Sequence, residues 1–116
     1  RMNTQISINV NGDPRQILEC AYQTLTSMGE NSYHNFPSYI DNNLLFARVC
    51  ITRKIVIKER FACIVIIKPV DNLKCELVLT VDSFLNGSGK GKNVLFMSDF
   101  LQAFSQNYYP MTGPQQ

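Results

Sequence analysis

The sequence predicts an α+β domain built as a two-layer sandwich, one curved antiparallel sheet with two helices packed on one face, in the order β-α-β-β-β(-β)-α. Apolar and polar residues alternate with period two through the middle of the chain, the pattern of half-buried strands. Two stretches with apolar residues every three to four positions flank that middle, at residues 17–28 and 97–108, the pattern of amphipathic helices. The connections between the central alternations are too short for parallel crossovers, so those strands pair antiparallel and both helix stripes need apolar sheet as cover.

In chain order, Ile6, Ile8 and Val10 alternate with Ser7 and Asn9 to give the first strand, which Asn11 and Gly12 break. Asp13, Pro14 and Gln16 then form a helix start: an aspartate to accept from first-turn amides, a proline suited to the first helical position, and a glutamine at the capping-box position. Ile17, Leu18, Ala21, Tyr22, Leu25 and Met28 make one stripe of about four turns, and Gly29 is expected to close it as a left-handed cap. From Glu30 to Asn43 the chain is polar and aromatic, with Pro37 and the turn-prone Asp41, Asn42 and Asn43; a short strand around Ser38 to Ile40 is only weakly marked.

Leu45, Ala47, Val49 and Ile51 alternate with Phe46, Arg48, Cys50 and Thr52, and Ile55 and Ile57 extend the pattern against Lys54, Val56 and Lys58. Nearly every residue from Phe61 to Ile67 is apolar, which predicts a central strand covered at least in part on both faces. Asp71 and Asn72 turn the chain into Cys75, Leu77, Leu79 and Val81, the cleanest alternation present. Met97, Phe100, Leu101, Phe104 and Tyr108 carry a final helix that stops at Pro110. Val94 to Met97 fit either the start of that helix or one more strand.

With 116 residues the chain is expected to form a single domain over 1–110, with 111–116 a tail or the start of a linker. Hydrophobic residues make up 45% and charged ones 17%, which suits a globular protein, and no apolar run approaches the roughly 20 residues that span a bilayer, so no membrane partner is expected. Cys20, Cys50, Cys63 and Cys75 lie in apolar patterns without paired metal-ligand spacing, which reads as reduced thiols, no metal, no cofactor and a cytoplasmic setting.

The stretch from Asn86 to Asn93, NGSGKGKN, raises the question of a phosphate cradle. Aligned on Gly91 and Lys92, the P-loop pattern fails at both ends, where Asn86 and Asn93 replace its first glycine and its hydroxyl residue. The spacing of Gly87, Gly89 and Gly91 also misses the dinucleotide fingerprint. What survives is an anion site of general kind formed by Gly89, Lys90, Gly91, Lys92 and Asn93 ahead of a helix N-terminus, set against a plain strand-to-helix connection. With the preceding strand, helix and strands, Gly89 to Asn93 leading into a final amphipathic helix resembles small uncharacterised bacterial α+β domains with a helix-grip or TATA-binding-protein-like layout. That resemblance implies the two-layer fold and transfers no catalytic residue.

Net charge is only +2, yet Arg48, Arg53, Lys54, Lys58, Arg60 and Lys68 gather in one segment opposed by Glu59 alone. Arg48, Lys54 and Lys58 share the parity opposite the aliphatic set, so Arg48, Arg53, Lys54, Lys58 and Arg60 form a candidate basic face on the helix-free side, alongside Phe46. The competing role is protection of a sheet face against aggregation. His34, the sole histidine, lies in a polar loop without an identifiable orienting partner, and Cys50 is the best-placed thiol for reactivity because Arg48 stands two residues away. The carboxylates are scattered over caps, turns and strand faces. The expectation is therefore a non-enzymatic binding or protein-interaction domain, with a protein partner or a homo-oligomer. The alternatives are a small apolar-ligand carrier of helix-grip type, and a weak nucleic-acid or phosphate binder using the basic face and the glycine loop.

Overall fold

The computed structural model describes residues 2–40, 44–54, 56–83 and 89–108. Its elements are β1 (Met2–Asn11), α1 (Pro14–Thr26), β2 (Glu30–Ile40), β3 (Leu44–Lys54), β4 (Lys58–Asp71), β5 (Lys74–Ser83) and α2 (Gly89–Asn107). The strands form one antiparallel sheet of five in the order β1-β5-β4-β3-β2, and both helices pack on the same face of it. The expected two-layer α+β sandwich is thus the fold, with β4 at its centre.

The inner face follows directly from strand alternation. Leu45, Ala47, Val49 and Ile51 of β3 stand beside Phe61, Cys63, Val65 and Ile67 of β4 and Cys75, Leu77, Leu79 and Val81 of β5, all buried. Onto this layer α1 sets Ile17, Leu18, Ala21, Tyr22 and Leu25, and α2 sets Phe96, Met97, Phe100 and Phe104. The helical spacing of four in Phe100, Phe104 and Tyr108 stacks their rings in a ladder, with centroids 5.7 Å apart for Phe100 and Phe104 and 5.3 Å for Phe104 and Tyr108. One turn before them, Phe96 stacks on the sheet, its ring 4.6 Å from that of Phe61.

Local chemistry fixes the start of α1 as the sequence predicts: Asp13 Oδ2 accepts from the amides of Arg15 and Gln16, each at 3.1 Å, and Pro14 takes the first helical position. The end of α1 corrects the sequence reading. Ser27, in right-handed conformation, is the C-cap, its hydroxyl donating to the carbonyl of Thr24 at 2.7 Å, and Gly29 is not left-handed. Gly29 is required for a different reason: a Cβ there would stand 2.5 Å from the carbonyl oxygen of Thr52, so the chain enters β2 too close to β3 for any side chain.

Two further expectations are corrected, and one open alternative is settled. Residues 30–40 form an eleven-residue strand rather than a weakly marked short one, because tertiary pairing with β3 overrides a polar sequence through two register shifts. The alternation through Ile57 does not prolong β3: Lys54 pairs with Lys58, and Val56 and Ile57 lie in the turn between β3 and β4. Residues 94–97 are helical, and α2 begins earlier still, at Gly89. The expectations for Asp41 to Asn43, Ile55, Asn86 to Ser88 and the tail 111–116 lie outside the described residues.

Gly12 joins β1 to α1 at a φ of 136°, where a Cβ would meet the Tyr108 hydroxyl at 1.8 Å, and that hydroxyl donates to the carbonyl of Asn11 at 2.8 Å. Gly12→Ala is expected to cost about 2–4 kcal/mol in urea unfolding, against about 1 kcal/mol for Tyr108→Phe, which removes only the hydrogen bond. Burial pushes the thiols of Cys63 and Cys75 up, with Asp13 adding to the effect at Cys75. An unfolded chain releases these protons first. Stability should therefore fall as pH rises above about 9, by about 1.4 kcal/mol per pH unit for each thiol that stays protonated only when folded. Urea midpoints measured across that range should show a shallower fall for Cys63→Ala.

Candidate functional site

A groove of ≈ 590 Å³ lies between the free edge of β1 and the C-terminal half of α2. Strand alternation turns Ile8 and Val10 toward the helix, and helical spacing places Leu101, Phe104 and Tyr108 opposite them, so the floor is apolar. Asn9, Asn11, Gln102 and Ser105 give it a polar rim. The space between the sheet and the helices is occupied by side chains, with Phe61, Phe96, Phe100, Leu18 and Leu25 all within 2% of complete burial. The groove is therefore an open feature of the sheet edge.

The basic residues singled out from the sequence are divided by the fold. Arg48, Lys54, Lys58 and Arg60 lie on the helix-free face, as parity predicts, but only three of them cluster: Lys54 faces Lys58 across the hairpin, and Arg60 pairs with Thr52 one step along that face. Arg48 faces Ile64, farther along the strands. Arg53 has the opposite parity and serves the helix side, donating to Asp99 Oδ2 at 2.9 Å with its guanidinium 5.5 Å from the Phe96 ring centroid.

The helix-free face is also less basic than the sequence suggests. Phe46, Ile66 and Val78 stand in one row across β3, β4 and β5, and Arg48, Ile64 and Thr80 form the next. Cys50 lies half-buried on this face opposite Ala62.

Gly89, Lys90, Gly91, Lys92 and Asn93 all fall within the first turns of α2 rather than in a loop ahead of it. Asn93 is buried and points into the fold, its Nδ2 donating to Thr4 Oγ1 at 3.2 Å and to the carbonyl of Val81 at 3.3 Å. Lys92 Nζ pairs with the buried carboxylate of Glu59 at 2.6 Å. A cation in the first turn opposes the helix dipole, and Glu59 offsets that conflict from the neighbouring strand. Both described side chains of the expected anion site are therefore engaged within the fold.

Sequence reasoning missed the groove because its two walls are 90 residues apart in the chain, although the four-residue spacing of aromatics from Phe96 to Tyr108 signalled the stacked ladder that forms one wall. It also missed Glu59, whose burial depends on which strand face α2 covers.

No protein-family model matches the sequence, and no curated protein matches it either. Among solved structures, a putative uncharacterized protein from Bacillus thuringiensis is similar at 10% identity with a TM-score of 0.49, over 90% of this chain and 97% of that one. A conserved protein from Geobacillus kaustophilus is similar at 11% identity and a TM-score of 0.47, over 90% and 93%. The Zhui aromatase/cyclase from Streptomyces sp. R1128 is similar at 8% identity and a TM-score of 0.43, over 97% and 99%. The similar structures thus include small uncharacterised bacterial proteins, in line with the resemblance drawn from the sequence. They also include an aromatase/cyclase, and that corrects the expectation that the chain is not an enzyme. The lack of a recognisable catalytic motif in the sequence is no ground for excluding one.

The two ion pairs at the root of α2 should differ in worth. Lys92→Met leaves the Glu59 side chain, 8% exposed, without its cation and is expected to lower stability by about 1–3 kcal/mol, after discounting for the exposed lysine. Arg53→Met strands an Asp99 that is half in solvent and should cost less, about 1 kcal/mol or under. Urea midpoints of the two variants give the ranking.

Proposed function

We propose that this chain is a protein-interaction domain that takes an extended strand of its partner along β1, with alternate side chains of that strand entering the groove against α2. The observation that carries this reading is the contrast between the two sheet edges. Edge strands are ordinarily protected by charges, prolines or bulges, because their unpaired amides and carbonyls invite another strand. The β2 edge contains Pro37 and two register shifts. The β1 edge, MNTQISINVN, is ten residues long, pairs with β5 without a shift and has no charged residue or proline.

Strand addition would satisfy the free backbone groups of β1, and an apolar residue at every second position would cover Ile8, Val10 and Leu101. A second copy of the chain can supply such a strand, since β1 has no charge to oppose its own image. The groove itself favours a second reading, a small apolar ligand, because it sets an apolar floor inside a polar rim.

Sedimentation over a concentration series, together with binding of a fluorescent peptide of sequence Met2–Asn11, tests the first reading. The chain should self-associate or take up the peptide, and Ile8→Lys and Leu101→Lys should each abolish this while retaining the far-ultraviolet spectrum. A chain that stays monomeric and ignores the peptide overturns strand addition. Saturable uptake of a long-chain fatty acid by that monomer, lost in Leu101→Lys, would then establish the second.

A further inference from the structure

The β3–β4 hairpin carries at its tip the aliphatic side chains Val56, 84% exposed, and Ile57, 56% exposed. A turn ordinarily carries polar residues, and apolar side chains held out on a convex tip gain nothing from the fold behind them. Cations flank this tip on its helix-free face. Lys54 and Lys58 face one another where the strands meet, and Arg60 lies on the same face one step back. Like charges directly opposite across a ladder destabilise a hairpin, so the arrangement has no explanation in folding.

The charges on the other face of the same hairpin are already satisfied. Glu59 pairs with Lys92 at 2.6 Å and Arg53 with Asp99 at 2.9 Å, so Glu59 does not neutralise the tip. Val94 and Leu95 of α2, on the helix side of the hairpin root, are also exposed, Leu95 lining a cleft with Phe61, Phe96 and the paired charges Arg53, Asp99, Lys92 and Glu59. The opposite end of the sheet provides the contrast: the β4–β5 turn also exposes Val70 and Leu73, but Lys68, Asp71, Lys74 and Glu76 around it are balanced in sign.

We propose that the β3–β4 hairpin tip docks on an anionic lipid surface, with Val56 and Ile57 entering the headgroup layer and Lys54, Lys58 and Arg60 lying against the lipid phosphates and carboxylates. Aliphatic insertion combined with a basic collar is the chemistry of surface attachment to an anionic bilayer. A single-stranded nucleic acid would instead use aromatic platforms for stacking, and the described residues of the tip include none. Among the described residues no helix is long and apolar enough to cross a membrane, so the contact proposed is at the surface. The hairpin lies between strands that are inner members of the sheet, away from the β1 edge, so this attachment is independent of strand addition.

Co-sedimentation of the full chain with large vesicles tests the proposal. The chain should pellet with vesicles of phosphatidylcholine and phosphatidylserine, not with phosphatidylcholine alone, and added salt should weaken the binding. Replacing Lys54, Lys58 and Arg60 together with glutamine should reduce it on the order of a hundredfold, since each basic residue at such a surface contributes roughly fivefold. The variant Val56→Ser with Ile57→Ser keeps every charge and should lose at least about tenfold while keeping its far-ultraviolet spectrum. Three results would each overturn the proposal: no preference for anionic vesicles, wild-type binding by either variant, or an oligonucleotide bound as tightly as the vesicles and unaffected by the serine pair.

Discussion

One constraint organises this molecule: the sheet has a single continuous apolar face, and the chain has to cover it. The odd-numbered residues of β3, β4 and β5 supply that face, and no single helix is wide enough to shield five strands. Two are used. The first lies mainly over β3 and β4, and the second over β1 and β5, with Phe96 at its start reaching Phe61 of β4. Burial of these side chains is the main favourable term in folding, and it also explains details elsewhere, such as a buried glutamate at the root of α2 and a glycine where α1 leads into β2.

What covers the inner face also decides what remains open. A groove lies between β1 and the C-terminal half of α2, and as an edge strand β1 has one unpaired side of its backbone. Because both helices occupy one face, the other presents a row of Phe46, Ile66 and Val78 with basic residues gathered toward the β3–β4 turn. Edge, groove and hairpin tip are therefore consequences of a single packing decision. They present different chemistry: uncharged backbone along β1, an apolar floor against α2, and at the tip aliphatic residues with cations on the helix-free side.

Much of this was legible along the chain, because strand and helix periods are local. Asp13 and Pro14 mark the start of α1 without help from any distant residue, and the alternation from Cys75 to Val81 gives β5 its inner face. The readings that required correction all involve partners far away in sequence. The polar stretch from Glu30 is a strand because β3 lies beside it, and Gly29 is small because Thr52 passes close by. Gly89 to Asn93 look like a loop by composition, yet Asn93 is drawn into the helix and the core by Thr4 and Val81. Arg53 and Lys54 are neighbours in sequence, but strand alternation sends one to Asp99 and the other to the hairpin collar.

The sequence by itself determined the class of fold, the number of helices, the inward side of β1, β3, β4 and β5 and the parity of Arg48, Lys54 and Lys58, because each depends on a period of two or of 3.6 residues. Tertiary structure alone decided which strands became edges, that the interior filled with aromatic rings while a groove opened beside β1, and that Lys92 turned to Glu59. The physical reason is that burial and strand order are set by contacts between residues tens of positions apart, and no local pattern records them.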